Sequence, residues 1–76
     1  MHFVIVDIET TGGNPQNSKI TEIAMYKCDG EQIIDEFVTL INPETSIPPF
    51  IVNLTGITDR MVENAPLFEE VAQTIE

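Results

Sequence analysis

The 76-residue sequence predicts an α/β fold, in which a three-strand antiparallel meander is followed by short helices and the start of a longer one. Two observations support this prediction. Up to Ile41, apolar residues occur in strand-like runs that are separated by turn residues. Beyond Pro48, the apolar residues follow the period of amphipathic helices.

The first half of the chain contains three predicted strands. The first, His2–Ile8, opens with the continuous apolar run Phe3–Val6, which predicts a strand that is buried on both faces. Loop-forming residues at 11–15 end this strand. Two further strands joined by a tight turn complete the meander; the strands and their turn are predicted at Ile20–Cys28, Asp29-Gly30 and Gln32–Ile41.

The second half contains signals for helix ends. Pro48-Pro49 suits the entry to a short helix through about Asn53, and Gly56 is its predicted stop. Thr58 is a candidate N-cap for a second short helix over Asp59–Glu63.

A third helix is predicted to start at Ala65-Pro66. Its apolar stripe, Leu67, Val71 and Ile75, still continues where the sequence ends at Glu76. We therefore expect residues 1–76 to be the N-terminal piece of a larger α/β domain. A helix that frays at a natural C-terminus is the alternative interpretation.

Composition excludes several functions. Three Lys+Arg against 13 Asp+Glu give a formal net charge of −10, so the chain lacks the basic surface of a self-sufficient nucleic-acid binder. No apolar run approaches the roughly 20 residues of a membrane span, and the N-terminus lacks the features of a signal peptide. Cys28 has no disulfide partner, which fits a reducing compartment, so we expect a cytoplasmic location without membrane contact.

The segment Asp7-Ile8-Glu9 ends the most apolar strand. Because side chains alternate along a strand, Asp7 and Glu9 are expected on one face, with their Cα atoms roughly 6–7 Å apart. Such oxygen ligands suit Mg²⁺ or Mn²⁺, and a pair of metal ions can bind both the attacking and the leaving oxygen of a phosphodiester. Solvated carboxylates at a sheet edge are the alternative interpretation.

The segment Val6–Gly12, which contains Asp7, Glu9, Thr10 and Thr11, resembles the first exonuclease motif of the DnaQ-like 3′→5′ exonucleases. This family belongs to the DEDD superfamily of ribonuclease-H-like folds and includes the epsilon subunits of bacterial DNA polymerase III. Three further stretches resemble the family in the same order, and the match extends over essentially the whole chain; these stretches are Ile20–Ala24, Leu40–Pro48 and Leu54–Ala72.

The resemblance implies the N-terminal portion of a ribonuclease-H-like exonuclease domain. In it, Asp7 and Glu9 would be the first two catalytic, metal-binding carboxylates, with two Mg²⁺ or Mn²⁺ ions in the complete site. Thr10 and Thr11 would line the pocket of the 3′-terminal nucleotide. Leu54 would pack on the terminal base with Thr55 beside it, although plain core packing is the alternative for Leu54.

The resemblance also implies an incomplete active site. The family requires two further Asp residues and a His or Tyr general base beyond the first long helix, and His2 stands too early to be that base. We therefore expect hydrolysis of the 3′-terminal phosphodiester, with release of nucleoside 5′-monophosphates, by the parent domain, whereas the isolated fragment should be inactive. An exoribonuclease of the same superfamily and a non-catalytic acidic interaction module are the alternatives.

The expected partners follow from the same resemblance. They are the single-stranded or frayed 3′ end of a nucleic acid, with DNA favoured over RNA, and a DNA polymerase or a fused nuclease domain. In the family fold, the first strand is flanked by a strand that this chain lacks. Without that strand, one edge of Phe3–Ile8 is unpaired. We expect this edge to cause self-association.

Overall fold

The computed structural model describes residues 1–12 and 16–75, without the side chain of Ile75. In these residues, the strands β1 (Phe3–Thr10), β2 (Ile20–Cys28) and β3 (Ile33–Leu40) form an antiparallel sheet in the order β1-β2-β3. The helices α1 (Pro49–Thr55), α2 (Asp59–Val62) and α3 (Phe68–Ile75) follow. The type and order of these elements confirm the predicted fold, while the predicted loop residues at 13–15 lie outside the described part.

The hairpin between β2 and β3 is closed by a side chain. The Asp29 carboxylate accepts hydrogen bonds from the backbone N–H groups of Glu31 (2.9 Å) and Gln32 (3.0 Å). These bonds, the one from Glu31 first, lower the pKa of the Asp29 carboxyl group because they favour its charged form. Gly30 adopts a φ of 102°, so the predicted Asp29-Gly30 turn is confirmed.

The two short helices end and begin where predicted. Helix α1 ends at Gly56, which has a left-handed backbone conformation and donates its N–H to the Val52 carbonyl at 2.8 Å. Thr58 caps α2, and its hydroxyl oxygen accepts the N–H of Met61 at 3.2 Å. The first turn of α3 begins at Phe68, two residues beyond the predicted start at Pro66.

Two apolar clusters hold these elements together. One joins α3 to the sheet through the buried residues Ile23, Ile41 and Val71. The other joins the α1–α2 region to the end of β3, where Leu40 packs against the buried residues Ile47, Ile51, Ile57 and Val62. Burial of these aliphatic side chains therefore holds the α1–α2 region at the end of β3.

The prediction that the first strand is buried on both faces is wrong for this chain. The apolar side chains of β1 are between 44% and 58% exposed; they are Phe3, Val4, Ile5, Val6 and Ile8. The physical reason is the position of β1 at the sheet edge, where β2 is its one partner among the described strands. That position agrees with the unpaired edge that the family resemblance implies. None of the described helices has both the length and the hydropathy to cross a membrane.

Candidate active site at the end of β1

The carboxylates of Asp7 and Glu9 belong to one face of the sheet. The pairing of β1 with β2 runs without interruption from Phe3↔Cys28 to Glu9↔Glu22, so the alternation of side chains is preserved up to Glu9. Ile8, between them, belongs to the opposite face. Asp7 is exposed and Glu9 is half-buried, which leaves both carboxylates accessible from solvent.

The negative charge at this position is not neutralised by a neighbouring cation. Within residues 1–12 and 16–75, the carboxylates of Asp7 and Glu9 make no ion pair and no hydrogen bond. Ala24 lies opposite Asp7, and Glu22 lies opposite Glu9, where a like charge is unfavourable. Lys27 lies opposite Val4 and therefore belongs to the other face. A bound divalent cation would relieve this repulsion.

The donor set fits a hard divalent cation but is incomplete. Two carboxylates supply the oxygen ligands that Mg²⁺ and Mn²⁺ prefer. No group of three His, Cys, Asp or Glu side chains in the described part of the chain is arranged to hold a metal ion. Asp7 and Glu9 can thus contribute to a metal site, whose remaining ligands would be water, substrate or residues outside the described part of the chain.

A β-bulge separates the two carboxylates from the loop that follows. The register with β2 shifts between Glu9 and Thr10. The Thr10 hydroxyl oxygen then accepts the N–H of Gly12 at 3.0 Å, and the Thr11 hydroxyl oxygen accepts the N–H of Lys19 at 3.0 Å. Thr11 is 5% exposed, so its side chain fixes the loop and offers little surface to a ligand. The predicted nucleotide contacts of the two threonines stay predictions.

Helix α1 packs directly against this loop. Gly12 has a φ of 75°, and a Cβ atom placed on it would collide with the δ-methyl group of Ile51 and lie 3.0 Å from its Cγ1. Ile51 is buried in the apolar cluster of α1 and α2. The missing side chain of Gly12 therefore allows α1 to approach the chain three residues beyond Glu9. The sequence Thr10-Thr11-Gly12 indicated a small residue at this position. It did not indicate that α1 packs against that residue.

The exposed side of α1 carries Leu54, which is 79% exposed. The alternative of core packing for Leu54 is therefore wrong. The Thr55 hydroxyl donates to the Ile51 carbonyl at 2.9 Å and accepts the N–H of Ile57 at 3.1 Å, so it stabilises the end of its own helix. Sequence reasoning missed Phe50, which is 65% exposed one turn before Leu54.

The remaining acids and the histidine lie elsewhere. Asp29 closes the hairpin, Asp35 lies on β3, and Asp59 accepts the N–H of Ile47 at 2.9 Å. His2 is exposed next to the start of β1, as predicted for a strand-end histidine. These side chains do not add a base or a ligand to Asp7 and Glu9.

Comparison with known proteins identifies the class to which this chain belongs. The family model RNase_T, described as "Exonuclease", matches residues 4–76. The chain therefore belongs to this exonuclease family. The order of strands and helices described above is the N-terminal part of the fold of these exonuclease domains.

Relatives and solved structures agree with this assignment. The 3′-5′ exonuclease DinG of Bacillus subtilis is 47% identical over 74 residues, which are 96% of this chain and 8% of the relative. A PolC-type DNA polymerase III of Caldanaerobacter subterraneus is 49% identical over 69 residues, which are 91% of this chain and 5% of the relative. The nuclease domain of 3′hExo, a DEDDh family member whose structure was solved with bound rAMP, is 29% identical. That match has a TM-score of 0.85 and covers 97% of this chain and 41% of the solved one.

Proposed function

We propose that residues 1–76 are the N-terminal part of a single metal-dependent 3′→5′ exonuclease domain. The domain hydrolyses the 3′-terminal phosphodiester of a nucleic acid and releases nucleoside 5′-monophosphates. The observation that supports this most directly is the placement of Asp7 and Glu9 on one face at the end of β1, with no cationic partner among the described side chains. Membership in the exonuclease family supports the same reading.

In this proposal, Asp7 and Glu9 would hold Mg²⁺ or Mn²⁺ as the first two metal-binding carboxylates of a complete site. When bound, such ions activate a water molecule and stabilise charge on the phosphate oxygens. The water oxygen would form a bond to phosphorus and give up a proton to the general base, the bond from phosphorus to the 3′ oxygen would break, and the leaving oxygen would take up a proton. Thr10 and Thr11 hold the loop beside the carboxylates, Leu54 contacts the terminal base, and Thr55 supports Leu54 from the end of α1.

The chain spans 8% and 5% of the two curated relatives named above, so the complete activity is a property of a longer protein in this proposal. The further metal ligands and the general base lie beyond residue 76. Deprotonation of water and retention of both ions require these groups. The isolated 76-residue chain is therefore inactive.

We propose that the domain acts in the cytoplasm and that its favoured substrate is DNA. It starts from a single-stranded or frayed 3′ end. The support is the name of one relative, a DNA polymerase III, which also suggests a polymerase or a fused nuclease domain as partner. RNA is the second candidate, because the 3′hExo domain was solved with rAMP. In either case, the net charge of −10 means that strand binding requires metal ions, base contacts or other parts of the protein.

The exposed edge of β1 favours one further role. Its unpaired backbone groups and apolar side chains can pair with another chain, so the isolated chain is expected to self-associate. A non-catalytic acidic interaction module would use the same edge while leaving Asp7 and Glu9 solvated. Loss of catalysis on mutation of Asp7 separates this candidate from the exonuclease.

The test uses the full-length protein with Mg²⁺ and a 3′-labelled oligonucleotide. Asp7→Ala is expected to lower the cleavage rate by more than about 100-fold, because loss of a metal ligand exceeds the usual effect of losing an outer-sphere partner. Asp35→Ala is the matched control, since Asp35 is an exposed carboxylate on β3 that belongs to the opposite sheet face. Cleavage by Asp7→Ala at the wild-type rate would refute the proposal.

A further inference from the structure

Thr11 joins the end of β1 to the residues just before β2 by two hydrogen bonds. Its backbone N–H donates to the Lys19 carbonyl at 2.8 Å, and its hydroxyl oxygen accepts the N–H of Lys19 at 3.0 Å. Thr11 is 5% exposed, so water has little access to these bonds. The two bonds form a clamp, the Thr11–Lys19 clamp, between residues that are eight apart in the sequence.

The Thr11–Lys19 clamp lies just beyond the bulge that follows Glu9. Glu9 pairs with Glu22 where the regular register of β1 and β2 ends, and the register shifts before Thr10. A bulge disrupts the ladder of hydrogen bonds locally. The clamp connects the two strands again two residues after Glu9. The backbone of Glu9 is therefore held from both sides, by the regular ladder before it and by the clamp after it.

The Glu9 carboxylate depends on this support of its backbone. Among the described residues, it makes no hydrogen bond or ion pair of its own, and the like charge of Glu22 lies opposite it. The groups of a binding site must be held within about 0.5 Å of the productive geometry by the residues around them. For Glu9, the backbone that the Thr11–Lys19 clamp fixes provides this constraint.

We propose that Thr11 is a positioning residue for the metal ligand Glu9 and that its side chain does not contact the substrate. This inference rests on the proposed exonuclease function, and it replaces the nucleotide contact that the family resemblance implies for Thr11. A buried side chain that is already bonded to Lys19 offers little surface to a nucleotide. Loss of the hydroxyl would leave the Lys19 N–H without its acceptor and weaken the clamp.

Mn²⁺ binding to the full-length protein, measured by calorimetry, tests this role. Thr11→Val keeps nearly the same shape but removes the acceptor, and it should weaken the Mn²⁺ affinity about 10- to 100-fold, the usual effect of losing an outer-sphere partner. Thr11→Ser keeps the hydroxyl and should retain the wild-type affinity. Thr39→Val is the matched control and should also retain it, because the Thr39 hydroxyl donates to the neighbouring Leu40 carbonyl at 3.0 Å in β3.

Cleavage kinetics separate positioning of the metal ligand from binding of the nucleotide. In Thr11→Val, cleavage of a 3′-labelled oligonucleotide should be slow at low Mn²⁺ and reach the wild-type rate at saturating Mn²⁺, because the defect lies in metal affinity. KM for the oligonucleotide at saturating Mn²⁺ should stay at the wild-type value. Lys19→Pro removes the N–H donor of the same bond, should weaken the Mn²⁺ affinity as Thr11→Val does, and takes its place if Thr11→Val does not fold.

The possible outcomes separate this inference from the function on which it rests. Wild-type Mn²⁺ affinity in Thr11→Val, or a loss that Thr11→Ser does not restore, would overturn the role of Thr11 and leave the exonuclease proposal intact. An equal loss in Thr39→Val would overturn it too, as would a raised KM at saturating Mn²⁺ with unchanged metal affinity. Full activity of Asp7→Ala would overturn the exonuclease function and the inference together.

Discussion

Replacement of Gly12 by alanine tests how the loop after the carboxylates is held against α1. Gly12 has a φ of 75°, which an L residue adopts at a cost of about 1–2 kcal/mol. The added methyl group would also collide with the side chain of Ile51. Overpacking of this kind costs typically about 1–3 kcal/mol. Gly12→Ala is thus expected to lower the free energy of unfolding by about 2–5 kcal/mol.

This loss is large compared with the total. A 76-residue chain is expected to unfold with a free energy of about 4–11 kcal/mol. Urea denaturation followed by circular dichroism, at one fixed protein concentration, measures the change. Gly56→Ala is the matched control, because Gly56 has a φ of 78° but nothing within 4 Å of its added Cβ. The difference between the two variants isolates the collision with Ile51.

A second substitution tests the cause of the collision. Ile51→Val removes the δ-methyl group that a Cβ on residue 12 would meet. In the Gly12→Ala background, Ile51→Val should therefore be less destabilising than in the wild type, or even stabilising. Equal stability losses for Gly12→Ala and Gly56→Ala, or strict additivity with Ile51→Val, would refute the proposed packing of α1 on this loop.

Three other perturbations address the sheet edge, the hairpin and a helix cap. Val6→Lys places a charge on the exposed edge strand and should shift the chain towards monomer in sedimentation velocity; a wild-type chain that is monomeric at high concentration would contradict the edge proposal. Asp29→Ala should destabilise the hairpin above about pH 4, where the free carboxyl group is charged. Because the folded pKa is lowered, the wild-type advantage should fall as pH drops through that lowered pKa, and a pH-independent difference in melting temperature would count against this cause. Thr58→Ala removes the cap bond to Met61 and should cost about 1 kcal/mol in urea denaturation, whereas an effect within error would show that the cap bond contributes nothing.

Local elements of this chain were predictable because their signals are local. Asp29-Gly30 forms a turn, Gly56 ends α1 and Thr58 caps α2, each through hydrogen bonds of its own backbone or side chain. The turn and the helix ends therefore lie where the sequence indicates. The shared face of Asp7 and Glu9 follows from strand alternation alone, which required no knowledge of the remaining fold.

Features that depend on distant neighbours were less predictable. The apolar run of β1 indicated burial on both faces, but burial requires a covering partner, and the run itself does not contain one. The contact between Gly12 and Ile51 joins residues that are far apart in sequence, so no local pattern signalled it. The exposure of Phe50 likewise depends on which side of α1 faces the core.

Titration of Mn²⁺ into the full-length protein, followed by calorimetry, tests most directly whether the carboxylate pair at the end of β1 binds metal. Wild-type protein and the control Asp35→Asn should give saturable heat of binding. Asp7→Asn and Glu9→Gln should each weaken the affinity at least about tenfold, because each removes one charged oxygen ligand. Saturable heat that is the same in all four proteins, or no heat in the wild type, would contradict the account.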